Sequence, residues 1–541
     1  MEIVTTLPRA PADRTHSMTK YLSCSLLLFA TIGISPAATY HVDSRNGDDA
    51  RDGRTPESAW RSPTKVNATT FAPGDRILLR AGSTWEGVQL HPLGSGTPEA
   101  PIVLDRYGEG PAPALHGRGR VPWVLGLANQ EGWEISNLEL TNFTAGAPQR
   151  HRAVEIRAKD FGRVRHIHLK NLSVHDVNAV ADYTNDGDTV AKSFGGIVTV
   201  IEGSERPTAW DDLLVEGCQI RDVGPMGMVM LSSWMAGHRE NDPKTWFPSR
   251  RVVIRGNTFE RIARNGLLVR GSVAPLIERN YFRECGLLGS GNAMFVFHCD
   301  DALVQFNESC FTKYNPGDSD AAGFDSDYNC RRSVFQFNYS HDNDYGFMLI
   351  CSQGGRANGF NDGTIVRYNI SENDGGNLIR ISGTVTNALI HNNTLYAKRD
   401  MANPRAAGEP PRIIYHKTWQ GWSEGISFFN NIVVNDCPQA VYEVGESKNN
   451  RYDHNLFFGL HPKSEPEDAH KLTADPRLAK PGGAGPGREA AAMMYALRAG
   501  SAAIGAGVAL PNHAPRDFAG RPVSTENGRV TLGALEADPR P

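Results

Sequence analysis

The chain has 541 residues, 40% of them hydrophobic and 21% charged, which is enough for a large core in one domain or several. Its formal charge is −4 and it has no long basic run, so a nucleic-acid partner, which requires clustered Lys and Arg to neutralise phosphates, is excluded. Glycine (55) and proline (33) make up about a sixth of the chain, a composition that favours a turn-rich β protein over a helical one.

In chain order, the first feature is a leader, residues 1–38. Lys20 precedes an apolar run from Leu22 to Ile34, and the small residues Ser35, Ala37 and Ala38 follow. This is the layout of a secretory signal peptide, and the run is too short for a membrane span. Charges before it make Met18 an alternative start. The mature protein is expected to be secreted or periplasmic, with no membrane span. Residues 39–125 hold "DSRNGDDARDG" (43–53), whose acids suit either calcium or a series of Asp-Gly turns.

From residue 126 to 465 one motif recurs. "IRGNTF" (254–259), "IERNYF" (277–282), "VQFNES" (304–309), "FQFNYS" (335–340), "VRYNIS" (366–371), "IHNNTL" (390–395), "FFNNIV" (428–433) and "YDHNLF" (452–457) each place Asn three residues after an apolar one. The asparagines are Asn257, Asn280, Asn307, Asn338, Asn369, Asn393, Asn431 and Asn455, spaced 23, 27, 31, 31, 24, 38 and 24 apart. Runs of Val, Ile and Phe only four to six residues long are too short for paired helices and right for strands. A unit near 23 residues with variable insertions indicates a solenoid of stacked coils. Asn suits a left-handed turn and can hydrogen-bond from coil to coil, so an all-β parallel β-helix is expected.

These coils, the start "TYHVDSRNGDDARDGRTPESAWRSP" and the ending "DPRL", "GSAAIGAG", "DFAGRP" and "GALEAD" resemble the right-handed parallel β-helix, pectate-lyase-like group of secreted carbohydrate-active proteins. The resemblance implies a right-handed parallel β-helix with an N-terminal cap and a closing segment at 466–541. It also implies a polysaccharide or oligosaccharide substrate. The chain is expected to act as a monomer.

Each coil has a further strand after its Asn. The rungs "NGLLVRG" (265–271), "NAMFVFH" (292–298), "AGFDSDY" (322–328), "YGFMLIC" (345–351), "GNLIRIS" (376–382) and "RIIYHKT" (412–418) align end to end. Alternate residues share a face, so Leu267, Met294, Phe324 and Phe347 are expected inside and Leu268, Phe295, Asp325 and Met348 outside. Asp325 and Asp327 then share the outer face, with Phe297 and Ile350 flanking Asp327. Paired carboxylates among apolar neighbours suit general acid and base work.

Asp325, Asp327 and His298 are therefore the catalytic candidates. Arg270, Arg380 and His416 on the same face, His341 in "YSHDNDYG", Asp300 and Asp301 beyond His298, and the loop aromatics Trp234 and Trp419 are the substrate-binding candidates. Asp320, Asp325 and Asp327 with nearby carbonyls also offer the oxygens that calcium takes. Beyond the leader, seven cysteines remain (Cys218, Cys285, Cys299, Cys310, Cys330, Cys351 and Cys437); they read as small core side chains with one or two disulfides.

Three functions fit. The leading one is a glycoside hydrolase using two carboxylates. A polysaccharide lyase acting on a uronate polymer is the second, although the mature chain lacks the R-x-P-x-x-R of pectate lyases and the N-T-D and R-I-K of polygalacturonases. A non-catalytic carbohydrate-binding solenoid is the third.

Overall fold

The computed structural model describes residues 37–146, 150–179, 190–355, 359–405, 408–511 and 513–537. The charged and apolar stretches of the expected leader lie outside the described residues. From Ala37 onward the chain winds into a parallel β-helix. Each coil gives one strand to each of three sheets; Arg250–Arg255, Thr258–Ile262 and Leu267–Val273 form one coil, and Leu276–Glu278, Tyr281–Arg283 and Met294–Asp300 form the next. The sheets contain 14, 13 and 16 strands, and every pairing within them is parallel.

Inward residues at equivalent levels stack along the axis. Phe259 and Phe282 from successive coils are fully buried, with parallel rings 4.9 Å apart. Burying each such side chain is worth about 1.5–3 kcal/mol. Trp60, Val66 of the short helix Pro63–Asn67, and Phe71 join the N-terminal end of this core.

The eight repeat asparagines form one buried ladder. Backbone N–H and Nδ2 of Asn257 both donate to Oδ1 of Asn280, at 3.0 Å each, and the same pair of bonds repeats up to Asn455. Asp468 ends the run by accepting from both donors of Asn455. The left-handed turn falls one residue earlier than expected. Gly256, Arg279, Phe306, Phe337, Tyr368, Asn392, Asn430 and His454 have φ of 50 to 64°, and the ladder Asn follows each. The Asn is selected for its amide, which satisfies the corner's backbone, rather than for tolerance of positive φ.

After residue 466 the chain folds back along the outside of the 13-stranded sheet. Leu478, Tyr495, Phe518 and Leu532 cover Tyr339, Ile370, Ile432 and Leu456, making a second core. All seven described cysteines are buried and unpaired, so the expected disulfides are not formed. Burial pushes the Cys218 and Cys299 thiols up to about 12, which keeps them protonated. Among the described residues no helix is long and apolar enough to cross a membrane.

Candidate active site

The 16-stranded sheet carries the site on its outer face. Its register corrects the expected alignment. Asp325 pairs with Phe295 on one side and with Leu349 on the other; Leu349 pairs with Arg380, and Arg380 with Tyr415. Met348 therefore pairs with Phe324, and both it and Ile350 are buried in the main core. Next to Asp327 stands Cys351, which pairs with Ser382, and Ser382 with Lys417. A one-residue slip moves a strand's whole set of side chains to the other face. It does so for His416, which pairs with Ile381 and is buried inside.

These two outward columns floor a cavity of about 360 Å³. Asp325, Leu349 and Arg380 belong to one column, and Asp327, Cys351, Ser382 and Lys417 to the other. Lys192, Ser290, Ser319, Asp320 and Trp419 add the walls from loops. The size is within the range that encloses a small ligand.

Asn292 organises the floor. Its Nδ2 donates to Asp325 Oδ2 at 2.9 Å, and its Oδ1 accepts from the N–H groups of Ala321 and Ala322. Its own N–H donates to Asn265 Oδ1 at 2.8 Å. Gly323 lets this strand enter close to the neighbouring sheet, because a Cβ there would stand 2.7 Å from Ser340 Oγ. Asp325 is 2% exposed and its Oδ1 has no hydrogen-bond partner. Burial, then the nearby Asp327 and Asp320, raise its pKa well above the usual carboxylate value, against the pull of Arg380.

Asp327 accepts from the Cys351 thiol at 3.1 Å and from the Tyr328 N–H at 2.7 Å, both at Oδ1. Burial raises its pKa to about 6, although Cys351 and Lys192 oppose the rise. An oxygen of Asp325, one of Asp327 and the Cys351 sulfur lie within 4.8 Å of one another. Asp320 accepts from Ser290 Oγ at 3.1 Å, and Arg380 Nη2 stands 3.8 Å from its Oδ1. Burial, then Asp318, raises its pKa too.

Asp320, Asp325 and Asp327 thus converge as the calcium reading required. Calcium wants six or more oxygens. Here a thiol takes one neighbouring position, protein donors hold all three carboxylates, and Arg380 and Lys192 already supply positive charge. The donor set suits protons better than a cation.

Of the remaining candidates only Arg380 and Trp419 line the cavity. Arg270 lies over the Phe297 ring, 4.8 Å from its centroid. His298 accepts from Asn329 Nδ2, and burial with neighbouring His238 and Arg270 lowers its pKa to about 3, so it is neutral. Asp300 accepts from His238 Nε2 at 2.8 Å, and Asp301 forms a two-bond pair with Arg332 near the surface. Trp234 is 7% exposed within the main core. His416 bonds Ser423 Oγ at 2.8 Å, and burial holds its pKa near 4.

His341 lies in the 13-stranded sheet beneath the C-terminal segment. Burial opposes its charge, but Asp342 at 2.8 Å, with Cys310 and Glu308, raises its pKa to about 11. Lys192, Asn265, Asn292, Cys351 and Lys417 were missed. For the two asparagines a signal existed: both open their rungs, "NGLLVRG" and "NAMFVFH", at the same position.

No family model matches the chain. It is 26% identical to a lacto-N-biosidase of Bifidobacterium longum subsp. longum across 93% of its own length, and spans 36% of that protein. The crystal structure of a GH136 lacto-N-biosidase from Eubacterium ramulus superposes with a TM-score of 0.59 at 25% identity, covering 70% of this chain and 66% of that one. The structure of XylC with xylose aligns over 92% of this chain and 99% of its own, with a TM-score of 0.50 and 13% identity, a likeness of fold.

Proposed function

We propose that the chain is an exported glycoside hydrolase acting on an oligosaccharide or polysaccharide, with a lacto-N-biosidase-like specificity. The observation that carries this reading is the convergence of Asp320, Asp325 and Asp327, all with raised pKa, on one cavity walled by Trp419. The similarity to two lacto-N-biosidases supports it. A β-elimination reading is favoured less, because the relatives matched at 25–26% identity over most of the chain are lacto-N-biosidases and Arg380, one of the cavity's cations, already faces Asp320.

Asp327 is assigned as nucleophile. Cys351 and the Tyr328 N–H hold its Oδ1, which leaves Oδ2 for the anomeric carbon. Asp320, whose side chain is 36% exposed, reaches the substrate and donates the proton to the leaving oxygen. Deprotonated, it then takes a proton from the water that displaces Asp327, so the product keeps its anomeric configuration. Asp325, nearly sealed below, keeps its own proton and limits negative charge beside the nucleophile.

The test is release of the sugar from an aryl lacto-N-bioside and from a polysaccharide panel, with reducing ends and unsaturated-uronate absorbance followed together. Reducing ends alone are expected. Asp327→Asn and Asp320→Asn should each lower kcat by about 10²–10⁴-fold. Unsaturated products, or full activity in both variants, would sink the assignment.

A further inference from the structure

A second cluster lies on the outer face of the 14-stranded sheet, on strands Trp133–Ser136, Arg163–Lys170 and Ala209–Glu216. His168 pairs in register with Glu134. His166 and Asp212 fall at one level, between the pairs Arg165–Asp211 and Ile167–Leu213, and take φ of 55° and 80°. Left-handed backbone costs an L residue about 1–2 kcal/mol. Both kinks turn their side chains onto one patch.

One carboxylate orients both imidazoles. Asp212 Oδ2 lies 3.0 Å from His166 Nδ1, and Asp212 Oδ1 lies 3.0 Å from His168 Nε2. A carboxylate only accepts, so each of those nitrogens carries a hydrogen. With one hydrogen on each ring, the other nitrogen, His166 Nε2 or His168 Nδ1, presents a lone pair. Both face Glu134 Oε1, at 3.1 and 3.8 Å. His168 Nδ1 is buried without a hydrogen-bond partner. Lys170 Nζ reaches only Glu134 Oε2, at 3.4 Å.

Glu134 Oε1 meets His166 Nε2 at hydrogen-bond distance, and a cation held among the three atoms would satisfy the unpartnered His168 Nδ1 as well. Zinc holds His nitrogen and carboxylate oxygen at about 2.0–2.2 Å in a tetrahedron, which sets ligands roughly 3.3 Å apart. The distances of 3.1 and 3.8 Å bracket that spacing. A His whose other N–H is fixed by a carboxylate is the usual arrangement around such a metal.

We propose that Glu134, His166 and His168 bind a divalent transition metal, zinc by preference, with Asp212 orienting the two histidines and water completing the shell. The site joins two adjacent coils directly and a third through Asp212. It lies on a different sheet from the cavity and acts as a staple across the coils.

The test uses the full chain stripped with a chelator and titrated with Co²⁺ and then Zn²⁺. Wild type should show tetrahedral Co²⁺ absorption that Zn²⁺ displaces, one equivalent bound, and a higher Tm with metal. Glu134→Gln and His168→Gln should each abolish the absorption. Asp212→Asn should weaken binding about 10–100-fold while keeping the metal-free Tm. Should His168→Gln fail to fold, Glu134→Gln, at a carboxylate 29% exposed, still decides. No absorption in wild type would overturn the proposal, as would absorption that survives Glu134→Gln or is lost only with His470→Gln, in the separate cluster of Asp453, His454 and His470.

Discussion

Cys351 donates its thiol hydrogen to Asp327 Oδ1 across 3.1 Å, from the next coil of the same outward column. A hydrogen bond to the ionised carboxylate lowers its pKa. Cys351→Ala should therefore raise the Asp327 pKa above about 6 and shift the acid limb of kcat/KM upward. Cys351→Ser, which keeps a donor, should leave the limb near its original position. The pH–rate profile measures both. A limb unmoved in Cys351→Ala would mean that it reports another group.

Asp325 predicts a stability effect with a definite sign. Its folded pKa is raised, so well below the ordinary aspartate value, at about pH 3 and under, the carboxyl is protonated in both states and costs nothing. Above that the unfolded chain ionises and the folded one does not, and stability falls by up to about 1.4 kcal/mol per pH unit. Asp325→Asn removes this penalty. Its Tm should match wild type at about pH 3 and exceed it at about pH 7. Equal Tm values at pH 7 would show that Asp325 is ionised at no cost.

The asparagine ladder should be fragile in its middle. Asn338 Oδ1 accepts from two donors of Asn307, and its Nδ2 donates to Val304 O and Asn369 Oδ1. Asn338→Ala leaves several of these buried groups unsatisfied at about 1–3 kcal/mol each. Urea unfolding should show a loss of at least about 3 kcal/mol, with the m-value unchanged.

Trp419 and Trp234 should behave oppositely. Trp419 is 37% exposed at the cavity, edge-on to Tyr328 with ring centroids 5.4 Å apart. Trp419→Ala should raise KM about tenfold at constant Tm, the loss of roughly 1.4 kcal/mol of uniform binding. Trp234→Ala empties a core position and should cost about 3–5 kcal/mol of stability with KM unchanged. Steady-state kinetics and thermal unfolding separate the two.

The coil repeat was legible because its Asn recurs with an apolar residue three places earlier, and the structure uses all eight copies in one ladder. Register across rungs was harder to read. Gly323–Phe324 and Gly346–Phe347 look like the same step of two coils, yet Phe324 pairs with Met348. Gly346 takes φ of 124°, where a Cβ would meet Asn377 O at 2.0 Å, and counting from the shared Gly-Phe is off by one. His416 was placed outside by the same kind of slip. Asp325 and Asp327 were found because carboxylates stood out against oily neighbours. Asn265 and Asn292 did not stand out, since a polar residue opening a strand resembles an ordinary turn.

The strands beneath the cavity are joined through backbone groups, while Asp325, Leu349 and Arg380 project away from them. Scaffold and recognition are thereby assigned to different atoms of the same residues. Leu349 or Ser382 can be exchanged without unpicking the coils on either side. The lining of such a cavity is editable residue by residue, except where one rung's side chain holds the next rung's, as Cys351 holds Asp327.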